Sequence, residues 1–299
     1  MTTPYMLPSL SGQSLSVDVA MRQPSIITKQ IAKLVDSQLI LQHFVTGIGQ
    51  PVTGGGMVYS VMTKEDLYTT RDAEQVGIGD EFPILEGSPL EPKVALVEKW
   101  GGKFKVPDEV RIRNNLSYLN GKMNQLANTI ARKLNERLML KVELAIAERG
   151  GAGVIVGSNW DPTVLVTVGP EADITPNVDR PTADFAAAQL AADMDEMGVV
   201  LDTLVVNSQQ AFALKVAYGE RLQQVLDSAG LTLVSHPRVT AGTAYVLKKG
   251  AVGTVGFERM GIETWDDREV QSTWYQNFIV PAIAIDRPEA MFKLTGLAG

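Results

Sequence analysis

The residues with chemical potential are few and scattered. The chain has no cysteine and two histidines, His43 and His236. Without cysteine there is no disulfide, no thiolate metal site and no thiol nucleophile. The histidines lie in different segments and lack the Glu-x-x-His or His-x-x-x-His spacing that puts ligands on one helical face. Each is expected to be a structural histidine. The run Gly54-Gly55-Gly56 invites a phosphate-loop reading, but that loop needs a spaced glycine pair followed by Lys and Ser/Thr at a helix start. Here Met57, Val58 and Tyr59 follow, so a flexible turn is expected. Ser208 sits in no nucleophile elbow and is expected to cap a helix. The groups Asp193/Asp195/Glu196 and Asp266/Asp267 lack calcium-loop spacing; an exposed helix face and a turn account for them. No catalytic, cofactor or metal residue is expected, and the chain is expected not to be an enzyme.

The elements that would position any site are organised around residues 115–149. Apolar residues fall there at Leu116, Leu119, Met123, Leu126, Ile130, Leu134, Leu138, Val142 and Ala145. Steps of three and four are the period of an amphipathic helix. Asn114 or Asn115 supplies a cap, and Gly150-Gly151 supplies a left-handed stop. At 1.5 Å per residue the rod is about 52 Å long. The successive fours from Leu126 to Val142 break the strict sevens of a coiled coil. The chain also offers no set of equally long partner helices for a bundle. A spine carrying both a sheet and a neighbouring chain fits best.

The 299 residues, 45% of them hydrophobic, suffice for one large domain or two. Net charge is −7, against the basic surface usual for a dedicated nucleic-acid reader. No window of about 18 apolar residues predicts a membrane span. The opening MTTPYMLPSL has no basic stretch before an apolar core, so no signal peptide is expected and a cytoplasmic compartment is.

Residues 1–23 are polar and read as an extended arm. A helical pattern follows from Pro24 to Leu41, then a strand over 52–62. Residues 64–98 carry three basic side chains against nine acidic ones. They read as a long two-stranded excursion with little apolar content, which cannot bury itself and therefore docks on a partner. The spine carries six basic side chains against three acidic ones, so the two are complementary. Residues 93–106 read as strand, tight turn region, strand. After Gly150 an alternating α and β pattern begins: strands at 153–156 and 164–168, a helix at 181–197 capped by Thr182 or just before it, and a buried strand at 199–207. Helices broken at Gly219 span 208–226. Short strands are expected at 231–234, 245–247, 254–257, 262–265 and 291–294. Another is expected at 278–285, where Pro281 demotes it to an edge or a bulge.

This order of elements resembles the major capsid proteins of tailed bacteriophages, a fold shared with herpesvirus capsid floors and encapsulins. The likeness is carried by VALVEKWGGKFKVPDEVRIRN (94–114) leading into LANTIARKLNERLMLKVELAIAERGG (126–151), and by the closing IAIDRPEAMFKLTG (283–296). The resemblance implies an α+β chain with the phage major-capsid fold. Residues 1–45 would be an N-terminal arm. Residues 46–150 would be the first part of a peripheral domain, with an extended β-hairpin loop at 62–100 and the spine helix at 114–150. Residues 151–260 would be an α/β axial domain, and 261–299 would return to the peripheral domain.

By this resemblance the chain self-assembles, as hexamers and pentamers, into the icosahedral shell around the double-stranded DNA of a tailed phage. The alternative is an encapsulin-type shell enclosing an enzyme cargo. An α/β enzyme built on 151–285, or a regulatory binding protein, would not need so long an arm and hairpin. Interface candidates are Glu74, Asp80, Glu81 and Glu86 on the loop, facing Arg132, Lys133 and Arg137 on a spine. Asp266, Asp267 and Arg268 would lie near a three-fold contact. Expected partners are other copies of the chain, a separate scaffolding protein, a portal, a decoration protein and non-specifically contacted DNA, with no membrane. No fused scaffolding domain precedes the arm in this sequence. Cross-linking through Lys64 and Asn277 is not expected. The location would be the virion, assembled in the bacterial host cytoplasm.

Overall fold

The computed structural model of the protein describes residues 39–298, except 64, 65, 67, 70–72, 79, 80, 88–90 and 168–172. The arm and most of the first helix expected before residue 39, the candidate Asp80, and Lys64 lie outside the described residues. In chain order the elements are α1 (Leu41–Phe44), β1 (Val45–Gly47), β2 (Gly56–Ser60), β3 (Pro92–Leu96), β4 (Trp100–Pro107), α2 (Asp108–Ile112) and α3 (Leu116–Glu148). Then follow β5 (Val154–Val156), α4 (Pro181–Met194), β6 (Thr203–Val206), α5 (Ser208–Tyr218), α6 (Leu222–Ser228), β7 (Thr232–Ser235), β8 (Ala244–Leu247), β9 (Gly253–Asp267), β10 (Ser272–Ala284) and β11 (Met291–Thr295). The mixture is the expected α+β.

Helix α3 begins where its cap predicts: the Tyr118 amide donates to Asn115 Oδ1 at 3.1 Å. It ends in Gly150 and Gly151, both at positive φ. The predicted stripe is the buried one, with Leu119, Met123, Ile130, Leu134, Leu138 and Val142 all in the core. The chain forms two compact units, and the helix contributes its residues up to Asn135 to one and from Glu136 to the other.

The first unit holds Val97–Asn135 and Phe257–Pro281. Here β10 pairs antiparallel with β4, Tyr275 opposite Phe104 and Thr273 opposite Val106. Val106, Leu119, Met123, Ala127 and Tyr275 form its core, with Phe104, Val110, Leu126 and Ile262 packed around them. Phe104 and Tyr275 stack with centroids 5.4 Å apart. Strand alternation puts these residues on the helix side and their neighbours on the other.

The tight turn expected within 93–106 is not there. β3 pairs with β2, while β4 pairs with β10. Gly101 and Gly102 are instead thin points inside β4. A Cβ on Gly101 would sit 2.5 Å from the Asn277 carbonyl oxygen and 2.9 Å from Phe278 Cα. One on Gly102 would sit 2.7 Å from Leu126 Cδ1. The glycines let the strand approach β10 and the helix, a role that a sequence pattern reads as a turn.

The second unit holds Ile40–Leu96, Glu136–Gly256 and Ala282–Gly299. Its sheet runs β5-β11-β8-β6-β7. β6 and β7 are parallel, joined through α5 and α6, and β8 is antiparallel to both β6 and β11. All four residues of β6 and of β8 are buried, as expected of strands covered on both faces. Asn207, not Ser208, caps α5: its Oδ1 accepts the Gln209 amide at 2.9 Å. The strand expected at 164–168 is replaced at its start by a turn, in which Asp161 Oδ1 accepts the Thr163 amide at 2.8 Å and the Leu165 amide reaches the Asp161 carbonyl. The strands expected at 254–257 and 262–265 are one continuous β9. Pro281 sits past the last β4 pair, Ile279 opposite Trp100, where no ladder bond is lost.

Gly101→Ala should destabilise the protein by about 2–3 kcal/mol because the obstructing atoms are backbone, and Gly102→Ala by only about 1 kcal/mol because the Leu126 tip can turn away. Urea denaturation of the two variants measures both; equal losses would contradict the close-approach account.

Candidate interaction surfaces

The described residues gather no reactive cluster, and no group of three His, Asp or Glu among them could hold a metal ion. The acidic groups noted in the sequence have structural work. Asp193 accepts Gln189 Nε2, Asp195 pairs with Arg149 and Glu196 accepts the Tyr68 hydroxyl. His236 Nδ1 accepts the Arg238 amide at 3.2 Å. Burial, and then Lys249, hold the His43 imidazole below its ordinary value.

Within the second unit, two polar nodes fix the far half of α3. Glu143 accepts the Tyr245 hydroxyl and pairs with Lys293 at 2.7 Å. Tyr245 and Lys293 are cross-strand neighbours on β8 and β11. Arg149 donates to the carbonyls of Pro288 and Met291, pairs with Asp195 at 2.9 Å and lies over the Phe292 ring. A guanidinium so enclosed needs that many acceptors to offset its lost hydration.

Beside Arg149 the root of the loop frames a cavity of about 870 Å³, lined by Asp66, Glu91, Lys93, Glu148, Asp195 and Glu289 among others. Lys93 and Glu148 close one side at 2.7 Å. Burial pushes the Glu289 carboxyl above its usual range; Arg149 opposes this, and Asp195 and Asp66 add to it.

The loop itself exposes more than charge. Glu74, Glu81 and Glu86 are on the surface, but so are Ile78, Phe82 and Ile84, the last two at 79% and 78%. Val58 and Val94 face each other across the β2–β3 ribbon and are 70% and 58% exposed. Leu96 extends the same face. Thr69 bridges Gly87, so the excursion does fold back on itself. The sequence estimate of little apolar content was too low, because these residues are interleaved with acids and form no run. Elsewhere in the second unit, Leu190 and Met194 on α4, and Phe212 and Val216 on α5, make exposed pairs one turn apart. Contiguous apolar surface of this kind marks contact sites.

The cationic candidates divide. Arg132 is exposed, whereas Lys133 and Arg137 are half-buried, and each already engages other residues. Arg132 and Lys133 belong to the first unit, Arg137 to the second. Asp266, Asp267 and Arg268 come together at the β9–β10 turn. Arg268 pairs with Asp266 at 2.6 Å and reaches Asp108 at 3.8 Å. Asp266 accepts the Thr273 hydroxyl and Asp267 the Trp274 indole N–H. These residues order the hairpin tip and leave Arg268 largely exposed.

The sequence reading missed a set on the outward face of the first unit's sheet. Lys99, Lys103 and Lys105 on or beside β4, and Arg259 on β9, surround Trp265, Trp274 and Phe278. The two indoles stack at 6.3 Å. Lys103 Nζ lies 4.9 Å from the Trp274 ring centre, Lys99 Nζ 4.8 Å from Phe278, and the Arg259 guanidinium 5.3 Å from Phe278. The available signal was the alternation Lys99, Lys103, Lys105 opposite aromatic residues at alternate positions of β10.

A family model described as phage capsid protein matches residues 91–294. Among solved structures, one from Mycobacterium phage Bobi matches with a TM-score of 0.59 at 12% identity, covering 99% of this chain and 95% of that one. A phage-related protein from Bordetella bronchiseptica matches with a TM-score of 0.58 at 16% identity, over 90% and 95% of the two chains. The capsid of Myoviridae phage XM1 gives 0.57 at 10%, over 86% and 91%. At such identities the likeness is one of fold. A search of curated proteins returns no significant match.

Replacing Val58 and Val94 by Ser should change unfolding free energy by less than about 0.5 kcal/mol, since both are exposed in the single chain. The same change should weaken self-association in sedimentation velocity; unchanged association would show that the ribbon face is not a contact.

For Glu289 the sign follows from its raised value. The folded state holds the proton more tightly than the unfolded chain, so its contribution is full below the usual carboxylate range and is lost as pH rises through the raised value. Glu289→Gln should therefore gain melting temperature relative to the wild type as pH rises from 4 to 8. A difference that stays constant with pH would contradict this.

Proposed function

The chain belongs to the phage capsid protein family and is a capsid shell protein; from that premise we propose that its copies close into the icosahedral shell enclosing the double-stranded DNA of a tailed bacteriophage. The carrying observation is the family match over 91–294, joined to the spine helix, excursion and sheet order described above. An encapsulin-type shell is not favoured, since the matching model is that of phage capsid proteins.

In physical terms, each copy keeps its cores internally satisfied and leaves the loop, the ribbon face and the helix pairs of the second unit for its neighbours. Each contact is individually weak. Repeated around five-fold and six-fold axes in a closed shell, such contacts sum to a stable particle. The loop residues Glu74, Asp80, Glu81 and Glu86 lie on an adjacent copy, with the spine cations Arg132, Lys133 and Arg137 as one candidate acceptor. The hairpin tip bearing Asp266, Asp267 and Arg268 meets copies near a three-fold axis. A scaffolding protein, a portal and a decoration protein complete the particle, DNA is touched without sequence preference, and assembly takes place in the bacterial host cytoplasm. No helix among the described residues is long and apolar enough to cross a membrane.

The test is negative-stain electron microscopy of the protein expressed alone, with mass spectrometry of what co-purifies. Closed shells, or rings of five and six, are expected. A consistent protein cargo would move the assignment to an encapsulin. A small monodisperse particle across wide ranges of salt and concentration would overturn shell formation.

A further inference from the structure

The sheet face described above has chemistry that the shell reading does not yet use. Lysine on an edge strand commonly guards the open edge against stray pairing, and β4 is the edge of its sheet. Here the ammonium groups of Lys103 and Lys105 lie over the Trp274 ring instead, at 4.9 and 6.0 Å. Among the described residues Lys99, Lys103 and Lys105 form no salt bridge, and Arg259 has one, with exposed Glu263 at 3.4 Å. The face is therefore cationic in a chain whose net charge is −7.

Its relief matters as much as its charge. Gly101 on β4 faces Phe278 on β10, and Gly261 lies on β9 with the Phe278 ring edge 3.9 Å from where its Cβ would be. The missing side chains leave a shallow cleft of about 290 Å³ along Lys99, Gly101, Lys103, Gln276 and Phe278. At one end Trp265 stays 41% exposed. Aromatic bodies and a dip thus lie between cations.

The complementary piece is on the page. Residues 81–87 read EFPILEG, with Phe82 and Ile84 the exposed apolar side chains and acids at both ends. Laid out as a strand, Glu81 and Glu86 are about 17 Å apart, against about 20 Å from Lys99 to Lys105 along β4. Alternation puts Phe82, Ile84 and Glu86 on one side. Resting on the shell reading above, we infer that the outward sheet face around Lys103, Lys105 and the Trp265–Trp274 pair seats residues 81–87 of a second copy of this chain.

This surface is a better acceptor than Arg132, Lys133 and Arg137, two of which are half-buried and all of which are already engaged. Nucleic acid is the weaker occupant. The Trp274 face is taken by lysine and by the other indole, so it offers no platform for stacking a base.

The test uses the full chain. Lys103→Glu with Lys105→Glu should cut the yield of closed shells more than tenfold, while the thermal melt and the tryptophan spectrum of the dispersed protein stay native. Glu81→Lys with Glu86→Lys should do the same. All four changes in one chain should restore shells, since the charges then match again. If the charge reversals perturb folding, acrylamide quenching of wild-type tryptophan decides instead, and should fall on assembly. Wild-type yield from the lysine double variant, failure of the fourfold variant to recover, or equal quenching in dispersed and assembled protein would overturn the docking. Normal shells that retain less DNA would overturn it too and assign the face to a polyanion. Absence of shells from the wild type would instead remove the shell reading itself.

Discussion

One stripe of apolar side chains along a 33-residue helix is the constraint on which the rest depends. Residues to Asn135 complete one core and residues from Glu136 complete another. The stripe must stay in phase through both, which explains its steps of three and four without a slip. In the first unit the helix meets a sheet whose β4 strand is thinned by two adjacent glycines. In the second it is pinned by charged groups rather than by apolar contact alone. Glu143 takes a tyrosine hydroxyl and a lysine, and Arg149 takes two carbonyls and a carboxylate. Removing one partner would strand a charge out of water, which costs far more than the pair contributes.

The division between satisfied interior and unsatisfied surface is what makes the chain a building block. Asp184 shows the interior at its most complete: its carboxylate accepts the Ser158 amide and hydroxyl and the Trp160 indole N–H. Outside, Val58, Val94, Phe82 and Ile84 are left to water. A lone copy tolerates this because acids interleave with the apolar residues and keep it soluble. A shell removes the exposure many times over with one repeated contact.

Much of this was legible in the sequence. The spine helix was, because its period persists long enough to leave no other reading, and Asn115 and Gly150 mark its ends chemically. The absence of catalytic spacing was equally plain. Gly101 and Gly102 were misread, since a glycine pair between strands signals a turn unless the partner atoms are known; Asn277 and Leu126 are far away in sequence. Asn207 took the cap assigned to Ser208 because one residue of phase cannot be settled by pattern. The apolar content of the loop was underestimated, since single apolar residues between acids look solvated until their exposure is seen. The sheet face of Lys103 and Lys105 needed the register of β4 against β10, which joins residues far apart in the chain.

Hydrogen–deuterium exchange, compared between dispersed protein and assembled particles, tests the central claim most directly. The account predicts that residues 56–60, 81–87 and 92–96 exchange rapidly when dispersed and become protected on assembly, while the buried stripe of α3 is protected in both. Equal exchange of the loop and ribbon in the two states would contradict it, since their exposed surface would then remain exposed in the shell.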